Sequence, residues 1–252
     1  MKKNGLCLFY FLAVLQTWAQ GIPDSTAIFK ISRADLAGEN LVGGVQAGET
    51  DTSYYQQRIY DGKEFIVFLF SIKNRTNTFE RFPIEEFVFW ADGKAIVEPE
   101  SEPSFEVLSG DYFIQPKGFK GKFNFVSGDE PHLELALVSK KRADSVSVSP
   151  MTKALLIEPN IVAGSSEDHQ GELVEIYSGI ELTVNLVRHA KRTFSGKQKE
   201  RLMHVLSGIL TAGEETFYPG DFFIIPANFS GDLTSIGFRP FRGLEVYQVD
   251  PK

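Results

Sequence analysis

A twelve-residue stretch occurs twice in this chain. Residues 110–121 read GDYFIQPKGFKG, and residues 220–231 read GDFFIIPANFSG. The two copies are identical at 7 of 12 positions at an offset of 110 residues, whereas unrelated stretches would match at about one. Self-similarity of this kind indicates that the chain contains two units of like fold.

Each unit has the sequence pattern of short β-strands. Apolar runs rich in Phe, Val and Ile, such as residues 65–72 and 222–225, are separated by Gly, Pro, Asn and Asp. This spacing is typical of β-sandwiches and barrels. Upstream, residues 86–93 align with residues 201–208 at an offset of 115, so the first unit has a longer hairpin near residues 99–103. The pattern predicts an all-β fold of two closed barrels or jelly rolls, in which few sheet edges are open.

Two motif spacings resemble those of a known family. Glu-x6-Gly at residues 86–93 and Gly-x5-Pro-x-Gly at residues 110–118 resemble the two motifs of the cupin superfamily. The first copy is most similar to the branch of ethanolamine-utilisation and ureidoglycine-aminohydrolase proteins. The resemblance implies two cupin-type double-stranded β-helix (jelly-roll) barrels in tandem. We expect one barrel in residues 20–138 and the other in residues 153–252, joined by a polar linker at residues 139–152.

The resemblance also implies where a metal would be held. Cupin metal sites take two His and one Glu from the first motif and a third His from the second, for Mn, Fe, Ni or Zn. Glu86 stands at the glutamate position of the first copy, but Arg201 stands there in the second. The second-motif His position is Gly121 in one copy and Gly231 in the other. We therefore expect no metal, no cofactor and no catalysis of the family's metal-dependent type.

Strand alternation predicts which side chains fill the first barrel. Glu86, Val88 and Trp90 share one strand face, because side chains alternate across a strand. The facing strand brings Phe123 and Phe125, and the 22 Phe of the chain favour aromatic packing where relatives hold a metal. Glu86 is then a buried acid that requires a charged or hydrogen-bonding partner.

The same reasoning predicts a pocket in the second barrel. Arg201 and Met203 share a face opposite Gly231 and Ser235, and small residues facing a long cation leave space for a small anionic or polar ligand. The candidate ligand-binding residues are Glu86, Arg201, Met203 and Ser235. Alternatively, Arg201 extends to solvent or pairs with an acid such as Glu181.

The amino terminus indicates export. Lys2 and Lys3 precede an apolar run at residues 6–15, and residues 17–19 (TWA) form a cleavage site, which is the layout of a signal peptide cut after Ala19. We expect a periplasmic or secreted protein without a membrane span. The single cysteine lies in this segment, and the net charge of −7 argues against a nucleic-acid partner.

The sequence is compatible with three functions. The favoured one is a metal-free tandem cupin that binds a small molecule or a partner. The second is an enzyme of the aminohydrolase or sugar-modifying kind with an atypical site, with Glu80, Glu85, Glu86, His189 and Arg201 as candidates. The third is a structural protein whose Phe-rich sheets form a homodimer.

Overall fold

The computed structural model describes residues 26–31, 36, 54–126, 132–141, 155–157, 173–237 and 239–249. Its elements are twenty β-strands: β1 Phe29–Ile31, β2 Tyr54–Asp61, β3 Phe65–Ile72, β4 Arg75–Phe79, β5 Glu86–Asp92, β6 Lys94–Pro99, β7 Phe105–Leu108, β8 Tyr112–Gln115, β9 Gly121–Phe125, β10 His132–Ser139, β11 Leu155–Ile157, β12 Leu173–Ser178, β13 Leu182–His189, β14 Lys191–Ser195, β15 Arg201–Ser207, β16 Ile209–Ala212, β17 Glu215–Phe217, β18 Phe222–Ile225, β19 Ser230–Ile236 and β20 Phe241–Gln248. The all-β prediction is confirmed. Within these residues no helix is long and apolar enough to cross a membrane.

The strands form two barrels of the same topology. In the first, the six-stranded sheet β11-β8-β5-β10-β3-β2 faces the four-stranded sheet β4-β9-β6-β7. In the second, the sheet β1-β18-β15-β20-β13-β12 faces β14-β19-β16-β17. The repeated stretch forms β8 in one barrel and β18 in the other, each paired antiparallel with the strand of the upstream motif. The predicted jelly-roll fold is therefore confirmed.

Two short strands each pair with the barrel that is formed mainly by the other half of the chain. β1, at the beginning of the chain, pairs with β18 of the second barrel, whereas β11 pairs with β8 of the first. The domain boundaries predicted at residues 20–138 and 153–252 stay a prediction, but each barrel borrows one edge strand from the other half of the chain. Ser139, at the start of the predicted linker, is the last residue of β10. Residues 1–19 and 142–152 lie outside the described residues.

Three apolar cores explain the long apolar runs. Every residue of β3 is buried, because its two faces belong to different cores. One face, with Phe65 and Val67, joins a core shared by both six-stranded sheets, to which Leu244 and Val246 contribute from the second barrel. The other face lines the first barrel. The interior of the first barrel contains seven buried phenylalanines: Phe68, Phe70, Phe82, Phe113, Phe119, Phe123 and Phe125. The interior of the second barrel is a separate core that includes Val187, Met203, Val205 and Phe223.

Two buried glutamates bind the barrels to each other. Glu85, before β5, accepts hydrogen bonds from the backbone N–H groups of residues 180–182 at 2.7 to 2.9 Å and from the Tyr177 hydroxyl at 2.8 Å. The Glu181 carboxylate accepts the Glu85 N–H in return, at 3.0 Å. This exchange satisfies a turn that would otherwise bury unpaired donors.

The second glutamate repeats the arrangement in the opposite direction. Glu200, before β15, accepts backbone N–H groups of residues 63–65 at 3.0 to 3.4 Å and the Tyr60 hydroxyl. The Glu64 carboxylate accepts the Glu200 N–H at 3.0 Å. Burial, followed by the Glu200 hydrogen bond, raises the pKa of Tyr60 well above its ordinary value. The duplicated units are thus joined with approximate two-fold symmetry.

Candidate functional site

The candidate site is a polar cluster inside the second barrel. Alternation along β15 directs Arg201, Met203 and Val205 to one face, and Met203 and Val205 belong to the core of this barrel. Arg201 therefore enters the interior at one end of the strand, as predicted. His204 faces the other way, where its Nδ1 lies 2.7 Å from the Tyr112 hydroxyl and its ring stacks on Phe222.

An acid on the neighbouring strand holds two arginines. Glu245 of β20 is fully buried and lies opposite Met203 in the sheet register. Its Oε1 accepts a hydrogen bond from Arg201 Nη1 at 2.7 Å and from Arg192 Nη1 at 2.8 Å. Arg192 belongs to β14 on the opposing sheet, so the three side chains connect the two walls of the barrel. Charge-assisted pairs of this kind are among the stronger hydrogen bonds in proteins.

The arginines are also supported by aromatic rings. The Arg201 guanidinium carbon lies 4.9 Å from the ring centre of Tyr247, and that of Arg192 lies 5.0 Å from the ring centre of Phe194. Both guanidinium groups remain partly exposed, with 15 % and 21 % of the side chain accessible. They therefore lie between the buried carboxylate and solvent.

Several polar atoms of the cluster have no partner among the described residues. They are Glu245 Oε2, Arg201 Nε, His189 Nε2 and both amide atoms of Asn185. Asn185 is 1 % exposed and lies directly opposite Glu245 in the pairing of β13 with β20. An unsatisfied buried polar group costs about 1–3 kcal/mol, so these atoms favour a hydrogen-bonding partner.

His189 is the last residue of β13 and lies beside the cluster. Its pKa is lowered from the ordinary value, first by burial and then by the positive charge of Arg192, with a smaller opposite effect of Glu245. The imidazole is therefore neutral near pH 7, and two guanidinium charges surround the buried Glu245 carboxylate, while the exposed Glu175 lies opposite Asn185 at the edge of the sheet. The two guanidinium groups are suited to an anionic ligand.

The first barrel provides an internal comparison. The register that places Asn185, Glu245 and Met203 in one row places Phe68, Ala136 and Val88 in the equivalent row. All three of these side chains are buried in the apolar interior of the first barrel. The fold therefore tolerates an entirely apolar row at this place, and the polar row is a property of the second barrel.

The structure separates the four predicted ligand-binding residues. Glu86 is buried in the first barrel, opposite Gln115, whereas Arg201 and Met203 lie together in the second. The Ser235 hydroxyl donates to the His189 carbonyl and accepts the Phe241 N–H, both at 2.8 Å. The proton of the Ser235 hydroxyl is therefore already donated to the backbone.

Two details of the sequence prediction are corrected. The acid that pairs with Arg201 is Glu245, whereas Glu181 lies 3.5 Å from Lys117 and accepts the Glu85 N–H. The space expected opposite Arg201 at Gly231 is filled, since a side-chain carbon added there would lie 2.9 Å from the Phe229 ring.

Sequence reasoning missed Asn185, Arg192 and Glu245, because they belong to no motif and the register that joins them is set by three strands. One signal was present: Glu245 interrupts an apolar strand, with Leu244 and Val246 on either side, at a depth where the first unit has Ala136.

The donor set of this cluster does not fit a divalent metal. Two guanidinium groups flank the Glu245 carboxylate and would repel a cation. In the described part of the chain, no three or more His, Cys, Asp or Glu side chains are grouped so that they could hold a metal ion. That the protein works without a metal stays a prediction.

The architecture of paired six- and four-stranded sheets, repeated in tandem, is the fold of cupin proteins. No family model matches the sequence, and no curated protein matches it. Solved structures do match. A cupin 2 conserved barrel domain protein from Leptotrichia buccalis superposes with a TM-score of 0.57 at 12 % identity, over 84 % of this chain and 94 % of that one.

Two further structures show the same fold. Protein Ylba from E. coli superposes with a TM-score of 0.56 at 14 % identity, over 86 % of this chain and 90 % of that one. The salicylate 1,2-dioxygenase from Pseudoaminobacter salicylatoxidans gives a TM-score of 0.59 at 11 % identity, over 98 % and 92 % of the two chains. At these identities the likeness concerns the fold alone, and the function is argued from the site.

Proposed function

We propose that this protein is a metal-free tandem cupin that binds a small anionic ligand in its second barrel. The observation that carries the proposal is the buried Glu245, which holds Arg192 and Arg201 together while nearby polar atoms have no partner in the described part of the chain. Two guanidinium groups presented from opposite walls suit a carboxylate, because each can donate two parallel hydrogen bonds to it.

Calorimetric titration with acetate, propionate, lactate and gluconate, and with acetamide and propionamide as neutral analogues, tests the proposal. We expect one or more of the acids to bind and the amides not to bind. Arg201→Gln should weaken binding at least about tenfold, since a hydrogen bond to a charged group contributes about 1.5–3 kcal/mol. Arg239→Gln is the matched control, because Arg239 is exposed. Failure of every acid to bind, or equal losses in both variants, would refute the proposal.

Metal analysis separates this function from that of a cupin enzyme with an atypical metal site. We expect the protein to contain no stoichiometric Mn, Fe, Ni or Zn after dialysis. Stoichiometric Mn, Fe, Ni or Zn retained after dialysis would contradict the metal-free proposal.

Export and assembly are proposals that rest on the sequence. A signal peptide at residues 1–19 would place the mature protein in the periplasm or outside the cell, beginning at Gln20, and N-terminal sequencing of exported protein tests this. A homodimer is tested by light scattering at micromolar concentration, where a monomer would contradict it.

A further inference from the structure

Asn185 has an unusual environment for an amide. It is 1 % exposed, and neither its Oδ1 nor its Nδ2 has a hydrogen-bonding partner among the described residues. Its inward direction follows from β13, where it alternates with Val184 and Leu186, which face the core between the barrels. The amide thus offers one donor group and one acceptor to the interior of the second barrel.

Glu245 adds an acceptor beside the amide. The two residues are direct partners across β13 and β20, a position in which Cβ atoms are about 4.5–5.5 Å apart. Glu245 Oε1 is engaged by both arginines, whereas Oε2 has no partner among the described residues. A group that accepts a hydrogen bond from Asn185 Nδ2 and donates one to Glu245 Oε2 would pair both of these atoms.

We infer that the ligand of the second barrel is a small hydroxy acid, whose carboxylate is bound by Arg192 and Arg201 and whose hydroxyl is bound by Asn185 and Glu245. The inference rests on the proposed function and specifies its ligand class. A hydroxyl is the simplest group that both donates and accepts a hydrogen bond.

The other common substituents fit less well. A keto oxygen accepts a hydrogen bond but has no proton for Glu245 Oε2. An ammonium group could donate to Asn185 Oδ1 and Glu245 Oε2 but would leave the Asn185 Nδ2 donor unpaired, and the charges of Arg192 and Arg201 repel it. A hydrogen atom leaves both buried groups unpaired. Selectivity against analogues that lack the matching polar group is the usual consequence of such a site.

A series of three-carbon acids tests the inference on the unaltered protein. Lactate, pyruvate, alanine and propionate share a carbon skeleton and a carboxylate, and differ in the hydroxyl, keto, ammonium or hydrogen at the second carbon. We expect lactate to bind about tenfold more tightly than propionate, since each hydrogen bond contributes about 0.5–1.5 kcal/mol, and pyruvate and alanine to show no such gain. Equal binding of lactate and propionate would overturn the inference while the anion site stands. Binding of none of the acids would instead refute the proposed function.

Asn185→Leu gives a second, independent reading. Leucine keeps the branched outline of asparagine and removes both polar atoms, so the preference for lactate over propionate should fall to about twofold or less. Thr193→Val, at an exposed position on β14, is the control and should retain the preference. If Asn185→Leu keeps the full preference, Asn185 does not bind the hydroxyl and the inference is wrong. If that variant does not fold, the series on the parent protein still decides the question.

Discussion

At the scale of single residues, Glu245 is the buried acid that pairs with the charged groups of the second barrel. Its carboxylate is the shared partner of two guanidinium groups on opposing sheets. Removing one member of a buried ion pair costs about 3–5 kcal/mol, because it leaves the remaining charge unpaired. Since Arg192 and Arg201 are partly exposed, we expect Glu245→Ala to lower the free energy of unfolding by about 3 kcal/mol.

Urea unfolding of four proteins measures this effect. Glu245→Ala and Glu245→Ala/Arg201→Met are compared with the parent, and Glu215→Ala serves as the control because Glu215 is exposed. The double variant should be more stable than Glu245→Ala alone, because one of the two unpaired cations is gone. A Glu245→Ala protein as stable as the parent would show that the pair contributes little to folding.

His189 gives the cluster a dependence on pH. Its pKa is lowered in the folded protein, mainly by burial and then by Arg192, so the unfolded chain binds a proton at a higher pH than the folded one. The stability associated with the neutral imidazole is complete above the ordinary His pKa of about 6.5 and decreases as the pH falls below it.

His189→Gln should therefore flatten the stability curve on the acidic side. Thermal unfolding at a series of pH values between about 7.5 and 5, on the parent and on His189→Gln, isolates this residue from the other histidines. We expect the parent to lose more stability over this interval than the variant does. Parallel curves would show that the His189 pKa does not differ between the folded and unfolded protein.

At the scale of elements, two turns are adapted to the glutamates that enter them. A Cβ atom added at Gly179 would clash with the carboxylate oxygens of Glu85. One added at Gly62 would clash with the carboxylate oxygens of Glu200. Neither glycine has a left-handed backbone conformation, so close approach explains both: the Glu85 carboxylate at Gly179, and the Glu200 carboxylate together with the Tyr60 ring at Gly62. These turns hold the two barrels together through backbone donors.

We expect Gly179→Ala to destabilise the protein by about 2 kcal/mol, as an overpacked core position does. Chemical denaturation of Gly179→Ala, Glu85→Ala and the double variant measures the coupling. In the Glu85→Ala background the alanine at 179 should cost much less, because the carboxylate that it displaces is absent. Ser178→Ala, exposed on the adjacent strand, is the control. Additive effects of the two substitutions would contradict the explanation.

Local sequence patterns predict the fold of this protein and only part of its candidate site. The repeat at residues 110–121 and 220–231 predicted the tandem all-β fold, because turn residues and apolar strands are local signals. Alternation predicted the direction of Arg201, but its partner Glu245 lies 44 residues away in a strand without a motif. Its register depends on β13, β15 and β20 together, and no local pattern encodes that.

At the scale of the whole molecule, the two barrels have diverged within one fold. The first is packed with aromatic rings around the row of Phe68, Val88 and Ala136, whereas the second contains charged and amide groups at the same depth. Apolar packing stabilises a barrel, and unsatisfied polar groups do not. On the proposed function, one barrel serves stability and the other serves binding, and a shared apolar core and two glutamates join them.

The edge strand β1 joins the beginning of the chain to the second barrel, and removing it tests how much it stabilises the protein. β1 covers the edge of β18, with Ile31 buried in the core between the barrels and Lys30 Nζ 3.0 Å from Asp221. A protein beginning at Gln20 keeps this strand, and we expect it to unfold in urea at the same concentration as the full chain. A protein beginning at residue 32 loses it and should be less stable by at least about 2 kcal/mol, from the loss of the buried isoleucine alone.

The bare edge of β18 should also increase self-association, since an unpaired strand edge recruits other strands. Ile31→Ala in the protein beginning at Gln20 separates the two effects. It should reproduce the loss of stability, about 2–5 kcal/mol for a buried isoleucine, without the self-association seen by light scattering. If the protein beginning at residue 32 is as stable and as monodisperse as the longer one, β1 is dispensable, and the second barrel closes its own sheet without the strand from the other half of the chain.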